Sequence, residues 1–232
     1  MTYEKIFTPK FTFMQNNEKK GLLMQLVLIY RLITIFMLFL FTSQLSFSQN
    51  FLDRISNSYD YELLLDAAQE LSFAEIPQLL PGDSQPEISK SQYKLLSLAA
   101  IYNLDPLVRR AAVRIISTEP NKDTASTLVQ VLVRDNESIV KAEAAYSLGD
   151  IGINDQFVIN GLSKAIREMI TKNPDNGLAT AIIVSIEQIG KKNGGIQDQT
   201  LFSYLIRLAS SNYFRQVRNR ALKVLEDMSN YE

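Results

Sequence analysis

The chain contains no histidine, no cysteine and no tryptophan. The lack of histidine and cysteine excludes acid–base relays built on imidazole, thiol nucleophiles and nearly every kind of zinc site. No disulfide can support the fold, which therefore depends on an apolar core. Serine, lysine, tyrosine and the carboxylates are the side chains left for chemistry, and we expect no cofactor and no metal site.

Neither sign of charge dominates the composition. The 232 residues carry 24 Lys+Arg and 25 Asp+Glu, a net charge of −1. The segment after Ser48 has 19 basic and 23 acidic residues and a net charge of −4. Domains that bind nucleic acid are usually strongly basic, so nucleic acid is not expected among the partners.

An unbroken apolar run of ten residues, Leu32–Phe41, lies near the N-terminus. The basic residues Lys19, Lys20 and Arg31 precede it, and small and polar residues up to Ser48 follow it. This order of basic region, short apolar core and small-residue exit is typical of a secretory signal peptide. The pattern predicts that residues 1–48 form a signal peptide and that the protein is exported, to the periplasm or the cell envelope of a bacterium.

The alternative is an uncleaved anchor in the inner membrane across Leu22–Phe41. This span of 20 residues is long enough to cross a bilayer. It would place Arg31 near its centre, at a cost of roughly 2.5–3.5 kcal/mol. The opening residues are unusual before a signal peptide, and Met14 and Met24 are alternative starts.

One pattern occurs four times between residues 108 and 225. An apolar residue is followed by a basic one in three of the four copies, and by further apolar residues four and eight positions on. The first positions are Val108, Val140, Leu178 and Val217, which lie 32, 38 and 39 residues apart. A helical unit that recurs every 30 to 45 residues is the signature of an α-solenoid.

Apolar spacing predicts where the helices lie. A first helix at 59–72 precedes a Pro- and Gly-rich break at 81–86. Four helix pairs follow: 91–103 with 106–117, 124–134 with 138–151, 156–171 with 177–191, and 200–210 with 214–228. We therefore predict an N-terminal helical cap and linker over 49–86 and a repeat domain over 87–232, with essentially no sheet.

Residues between the predicted helices have the chemistry of helix ends. Asp105 offers a capping acceptor before a proline at the first helical position, and Asp135 with Asn136 is predicted to cap the next second helix. Two glycines that follow an isoleucine are predicted to close helices in the left-handed conformation: Gly152 and Gly190.

These residues resemble the HEAT-repeat family, including its short bacterial forms. The resemblance covers about 91–232, and the third repeat departs from it with Ala179 where a basic residue belongs. It is carried by Asp105-Pro-x-Val-Arg109-x-x-Ala112, Val140-Lys-x-x-Ala144-x-x-x-Leu148-x-x-Ile151-Gly152, Ile186-x-x-Ile189-Gly190 and Val217-Arg218-x-x-Ala221-x-x-x-Leu225. The family implies an all-α fold, a right-handed α-solenoid of about four HEAT-like helix pairs whose second helices line a concave face.

The basic residues of the motif, Arg109, Lys141 and Arg218, allow two interpretations. They form an anion-binding ladder, or they pair with acceptors at neighbouring helix starts such as Asp105 and Asn136. The resemblance favours the second interpretation, because residues at this position in the family typically make such pairs.

A helical wheel singles out one candidate surface for a partner. The first three rows of the second helices are apolar and predict core, the third row being Val113, Ala145, Ile183 and Leu222. The opposite row places basic residues at its ends and apolar ones at its centre. Its members, with two flanking residues, are the predicted partner-binding residues: Arg110, Arg114, Tyr146, Val184, Asn219 and Lys223. The alternative is that these positions are exposed by chance and that Val184 belongs to the core.

Two other patterns resemble a catalytic motif and a metal site. Ser91 and Lys94 match S-x-x-K, the nucleophile motif of penicillin-binding enzymes, but the accompanying K-[ST]-G is missing, so chance is the better explanation. Glu62, Asp66 and Glu70 recur at every fourth position, which predicts a solvated helix face rather than a metal site.

The sequence thus predicts a non-enzymatic interaction or assembly subunit of a cell-envelope or periplasmic complex. It would bind other proteins through its concave face and the solenoid ends, and meet a membrane only if the N-terminal segment is retained. The alternative is a small-ligand-binding protein or enzyme with a site in the groove. A deep pocket with a strongly perturbed lysine or carboxylate would favour that alternative.

Overall fold

The structure is a computed structural model that describes Ile33 and residues 61–80, 88–171 and 174–229. The chain divides into two units, 1–54 and 55–232, and every helix named below lies in the second. Apart from Ile33, the predicted signal peptide and the alternative anchor lie outside the described residues. Among the residues that are described, no helix is both long enough and apolar enough to cross a bilayer.

The described part of the chain is all helical, with nine α-helices, one short 3-10 helix and no strand. The N-terminal elements are α1 (Tyr61–Glu70) and the 3-10 helix Ile76–Leu79. The helices that follow are α2 (Lys90–Tyr102), α3 (Pro106–Ile116), α4 (Lys122–Arg134), α5 (Ser138–Ile151), α6 (Gln156–Thr171), α7 (Asn176–Asn193), α8 (Gln199–Ala209) and α9 (Arg215–Ser229).

The helices stack in two layers. The first helices of the pairs, α2, α4, α6 and α8, each pack on the next, and so do the second helices, α3, α5, α7 and α9. Each first helix also contacts its own second helix, which is the arrangement of an α-solenoid. The predicted all-α fold with four helix pairs is confirmed, and the predicted helix bounds differ from the observed ones by at most two residues.

The repeated motif forms the core of the second-helix layer. Its first positions are buried, and its fourth positions are fully buried: Ala112, Ala144, Ile182 and Ala221. Alanine at this position in three of the four repeats lets neighbouring helices approach closely. The third predicted row is also fully buried in repeats one to three, but Leu222 is 47% exposed, because no described helix packs on α9 from the far side. The prediction that Leu222 belongs to the core is therefore wrong.

Close packing of α5 on α7 depends on Gly149 in α5. A Cβ built on this glycine would lie 2.8 Å from the Cα of Ser185 in α7. Only glycine permits such a distance without moving a backbone. Repeats two and three are therefore joined by close backbone packing.

Helix starts follow the predicted chemistry in one case and depart from it in another. Asp105 caps α3, its Oδ1 accepting a hydrogen bond from the Leu107 N–H at 2.8 Å. At α5 the capping residue is Glu137, whose side chain makes no capping bond, so the predicted cap by Asp135 and Asn136 is wrong. Asp135 instead accepts from the Glu137 N–H at 2.8 Å, because its place just after α4 lets it organise the loop.

Helix ends also give one confirmed and one wrong prediction. Gly152 closes α5 in the left-handed conformation, with φ 72°, as predicted. Gly190 does not close α7, which continues to Asn193 and ends at Gly194 with φ 70°. Gly190 lies buried inside the helix, where a Cβ would sit 3.4 Å from Cε of Met228, so packing explains this glycine.

The N-terminal helix α1 packs on α2 and is held by a buried amide. Asn103, at the end of α2, donates from Nδ2 to the carbonyls of Ala68 and Leu71 at 2.7 and 2.8 Å. These bonds satisfy carbonyls at the C-terminus of α1 that have no partner within their own helix. The amide of Asn103 thereby fixes α1 against the first repeat.

Candidate partner-binding surface

The six predicted residues lie on the solvent side of the second helices, called here the second-helix face. They differ in exposure: Arg114, Tyr146, Asn219 and Lys223 are exposed, whereas Arg110 and Val184 are half-buried. Val184 is thus less exposed than predicted for a partner-binding residue and less buried than a core residue would be.

Glu143 of α5 organises the first part of this face. Its Oε2 accepts from Nε of Arg110 at 2.8 Å, and its Oε1 accepts from Nε of Arg114 at 2.8 Å. A second bond from Arg114, from Nη2 to Oε2 at 3.0 Å, makes that pair bidentate. One carboxylate therefore holds both predicted arginines and ties α3 to α5.

Glu187 of α7 plays the same part further along the face. Its carboxylate accepts from Nζ of Lys191 at 2.6 Å and from Nη2 of Arg220 at 2.9 Å. The second pair ties α7 to α9. Neither glutamate was predicted from the sequence, because each acts across two helices.

The two glutamates are held in the charged form. Burial tends to raise the pKa of Glu143, but hydrogen bonds and charge from Arg114 and Arg110 outweigh it and the pKa is lowered. The pKa of Glu187 is lowered mainly by the hydrogen bond from Lys191, against the opposing effect of burial and with help from Arg220. Reciprocally, the bond to Glu143 raises the pKa of Arg114.

Between the two charged clusters the face is less polar. Tyr146 of α5 is 39% exposed, and Val184 of α7 is the equivalent residue one repeat later. An exposed tyrosine has an apolar ring and a polar tip, a combination enriched at protein interfaces. The face therefore has fixed charges at its ends and an aromatic and aliphatic centre.

The basic motif residues do not form a free ladder. Nε and Nη2 of Arg109 donate to Asp135 at 2.7 and 2.9 Å, with side chains only 11% and 3% exposed. The bond to Asp135 also raises the pKa of Arg109, although burial opposes it. Pairing with an acceptor is confirmed for Arg109, but the expected partner Asp105 is wrong, because Asp135 of the following repeat lies within reach.

The other two basic motif residues differ from Arg109. Nε of Arg218 is buried and has no hydrogen-bond acceptor within the described residues. Lys141 lines a cavity of about 170 Å³ between the second and third repeats. The other residues of this cavity are Leu132, Asn136, Ser138, Ala165, Glu168, Met169, Asp175 and Leu178.

The cavity chemistry bears on the enzymatic alternative. Burial tends to raise the pKa of Asp175, but hydrogen bonds from the Ser138 hydroxyl and the Leu178 N–H outweigh it, so the pKa is lowered. A general acid needs a raised pKa, so this carboxylate is unsuited to that role. Within the described ranges no cluster of three or more acidic, cysteine or histidine side chains is placed to hold a metal.

A second cavity, of about 360 Å³, lies on the first-helix side between α4 and α6. Its walls are Ser126, Val129, Gln130, Val133, Arg134, Phe157, Asn160, Gly161 and Lys164. None of the predicted partner-binding residues reaches it. The S-x-x-K match lies elsewhere, at the start of α2, where the Ser91 hydroxyl is 3.2 Å from that of Ser89.

Residues 94–187 match the family model described as HEAT repeats. The match supports assignment of this part of the chain to the HEAT-repeat family. The matched segment runs from within α2 to within α7 and contains the Arg109–Asp135 pair, Glu143, Tyr146 and Val184. No curated protein and no solved structure matches the chain. HEAT repeats generally mediate protein–protein interaction and typically serve as non-enzymatic scaffolds.

Proposed function

We propose that this protein docks a protein partner on its second-helix face, as a non-enzymatic subunit of a larger assembly. One observation carries the proposal. Glu143 and Glu187 each hold two cations, and Tyr146 lies exposed between the two clusters.

Fixed side chains favour binding. Long arginine side chains normally lose about 0.5–1.5 kcal/mol of rotamer freedom each when a partner orders them. Arg110 and Arg114 are already ordered by Glu143, which reduces that cost. The Arg114 side chain remains 67% exposed, and its guanidinium keeps donors for a second acceptor. A partner with carboxylates flanking an apolar patch would complement this face.

The proposed assembly belongs to the cell envelope or periplasm of a bacterium. The basic, apolar and small-residue order of residues 1–48 and the absence of cysteine support export. Sequencing the N-terminus of the protein isolated from its native cells tests this. A start near Gln49 supports cleavage, whereas retention of 22–41 means an anchored scaffold in the inner membrane.

A ligand-binding or enzymatic role is the second candidate. The cavity with Lys141 favours it, since Lys141 lines this cavity together with Glu168 and Asp175. Its size of about 170 Å³ suits only a small molecule. A Lys141→Met variant that retains its partner but loses a bound metabolite would establish this role.

Co-purification tests the proposed function. The tagged full-length chain is crosslinked mildly in native cells, purified, and its companions identified by mass spectrometry. Tyr146→Ala and Lys223→Glu should each reduce recovery of a reproducible partner at least fivefold. Lys164→Glu on the first-helix side is the matched control and should leave recovery unchanged. A partner lost with the Lys164 variant and kept with the other two would contradict the proposal.

A further inference from the structure

Among the residues that the structure describes, no carboxylate accepts from Nε of Arg218 as Asp135 accepts from Nε of Arg109. Arg109 and Arg218 hold the same motif position, and Nε of Arg109 donates to Asp135 of the following repeat at 2.7 Å. Nε of Arg218 is buried with no acceptor in the described part of the chain. A buried N–H group without an acceptor carries an uncompensated desolvation cost. A carboxylate from another molecule would satisfy Nε of Arg218.

The apolar residues beside Arg218 are uncovered in the same way. Leu222 of α9 is 47% exposed, whereas its counterparts in the three preceding repeats are fully buried. On the first-helix layer, Ile206 follows the core residue Leu205 as Val129 follows Leu128. Val129 packs at Gly161 of the next first helix, while Ile206 is 55% exposed. Both layers therefore present an apolar residue where a following helix would pack.

The opposite end of the array has the complementary charge. Helix α1 carries three acidic residues and no basic one. Leu64, Ala67 and Ala68 are buried on its inner side, so Asp66 and Glu70 point outward and are exposed. Exposed apolar side chains accompany them, with Tyr61 at 50% and Leu63 at 37%. This outer face of α1 offers both carboxylates and apolar area.

We propose that two copies of the chain associate head to tail. The outer face of α1 of one copy packs on α8 and α9 of the other, on the side where Ile206 and Leu222 are exposed. Asp66 or Glu70 then takes the place at Arg218 that Asp135 takes at Arg109, and Leu222 and Ile206 become covered. Such a contact is heterologous, so it can continue into stacks or close into rings. It uses the ends of the array and leaves Arg114 and Tyr146 of the second-helix face free for the proposed partner.

The absence of cysteine makes crosslinking a direct test. Two full-length copies with different tags are co-expressed, one with Asp66→Cys or Glu70→Cys and the other with Arg218→Cys, and treated with a short bismaleimide. Crosslinked pairs carrying both tags are expected from the mixture. Replacing Arg218→Cys by Lys164→Cys is the control and should give none. Crosslinks from Arg218→Cys alone, or no crosslink in the mixture, would overturn the head-to-tail arrangement.

Charge exchange separates association from misfolding. Arg218→Glu should weaken self-association at least tenfold in sedimentation, about 1.4 kcal/mol. Mixing it with a copy carrying Asp66→Arg and Glu70→Arg should restore association, because the charges are exchanged rather than removed. Failure of this rescue, or native protein that sediments only as a monomer, sinks the proposal. Tyr146→Ala should leave self-association unchanged, so the proposed partner site can fail or succeed independently.

Discussion

The junction between repeats one and two and the junction between repeats two and three join equivalent helices by different chemistry. The first is stabilised by ion pairs: Arg109 pairs with Asp135, and two arginines pair with Glu143. The second is fastened by close packing, with Gly149 against the backbone of α7. An ion pair also spans this second junction, Lys122 with Asp155, but both its side chains are solvent-exposed, at 77% and 38%.

The motif therefore determines where the helices lie, whereas residues outside the motif determine which contacts join them. Shared core rows position α3, α5 and α7 alike, whereas the residues beside those rows vary from repeat to repeat. A junction held by charge responds to pH and to loss of one partner. A junction held by packing responds to added volume. Substitutions at each of the two junctions therefore test this difference. Urea unfolding measures the change in the free energy of unfolding for each variant.

The largest effect is expected from Asp135→Ala. This variant leaves the guanidinium of Arg109, 11% exposed, with only backbone carbonyls as acceptors. Removing one partner of a largely buried pair should lower the free energy of unfolding by about 3 kcal/mol. Asp123→Ala, at an exposed position in the first turn of α4, is the control and should cost below about 1 kcal/mol. Equal losses of stability in the two variants would show that the Arg109–Asp135 pair does not stabilise this junction.

Gly149→Ala should come next and act on the packed junction. The new Cβ would meet Cα of Ser185 at 2.8 Å, which forces α5 and α7 apart. Overpacking of this kind costs about 1–3 kcal/mol. Gly177→Ala makes the same change where the nearest atom is 3.4 Å away, and should be neutral or slightly stabilising. A stable Gly149→Ala protein would mean that the helices can separate freely.

Glu143→Gln should cost about 1 kcal/mol at neutral pH, because Arg114 is largely exposed and water screens its charge. The pKa of Glu143 is lowered in the folded protein. Its contribution is therefore complete above the unfolded-state pKa and is lost as pH falls through the folded-state pKa. The stability gap between variant and parent should close at low pH. A stability difference that persists at low pH would mean that Glu143 contributes through side-chain packing rather than through its charge.

The smallest effect is expected from Lys122→Ala, which removes the exposed pair across the packed junction. Solvent screening limits its contribution to about 0.5 kcal/mol or less, and added salt should erase it. A loss comparable to that of Asp135→Ala would remove the distinction between the two junctions.

Periodicity was enough to predict the helix pairs, because each pair must bury the same apolar rows. It also predicted the capping by Asp105 and the closure by Gly152, which depend on neighbouring residues in the chain. The partner of Arg109, the role of Gly190 and the exposure of Leu222 depend on which helix lies opposite, and one repeat read alone contains no such information. Glu143 and Glu187 were missed for the same reason, since each acts across two helices.

Binding of a protein partner on the second-helix face is the main proposal. Its most direct test places a photo-crosslinking amino acid at position 146 or at position 164 in the full-length chain in native cells. Position 146 should give an adduct with one reproducible protein, and position 164, on the first-helix side, should give none with it. Adducts with a common partner from position 164 alone would contradict the claim.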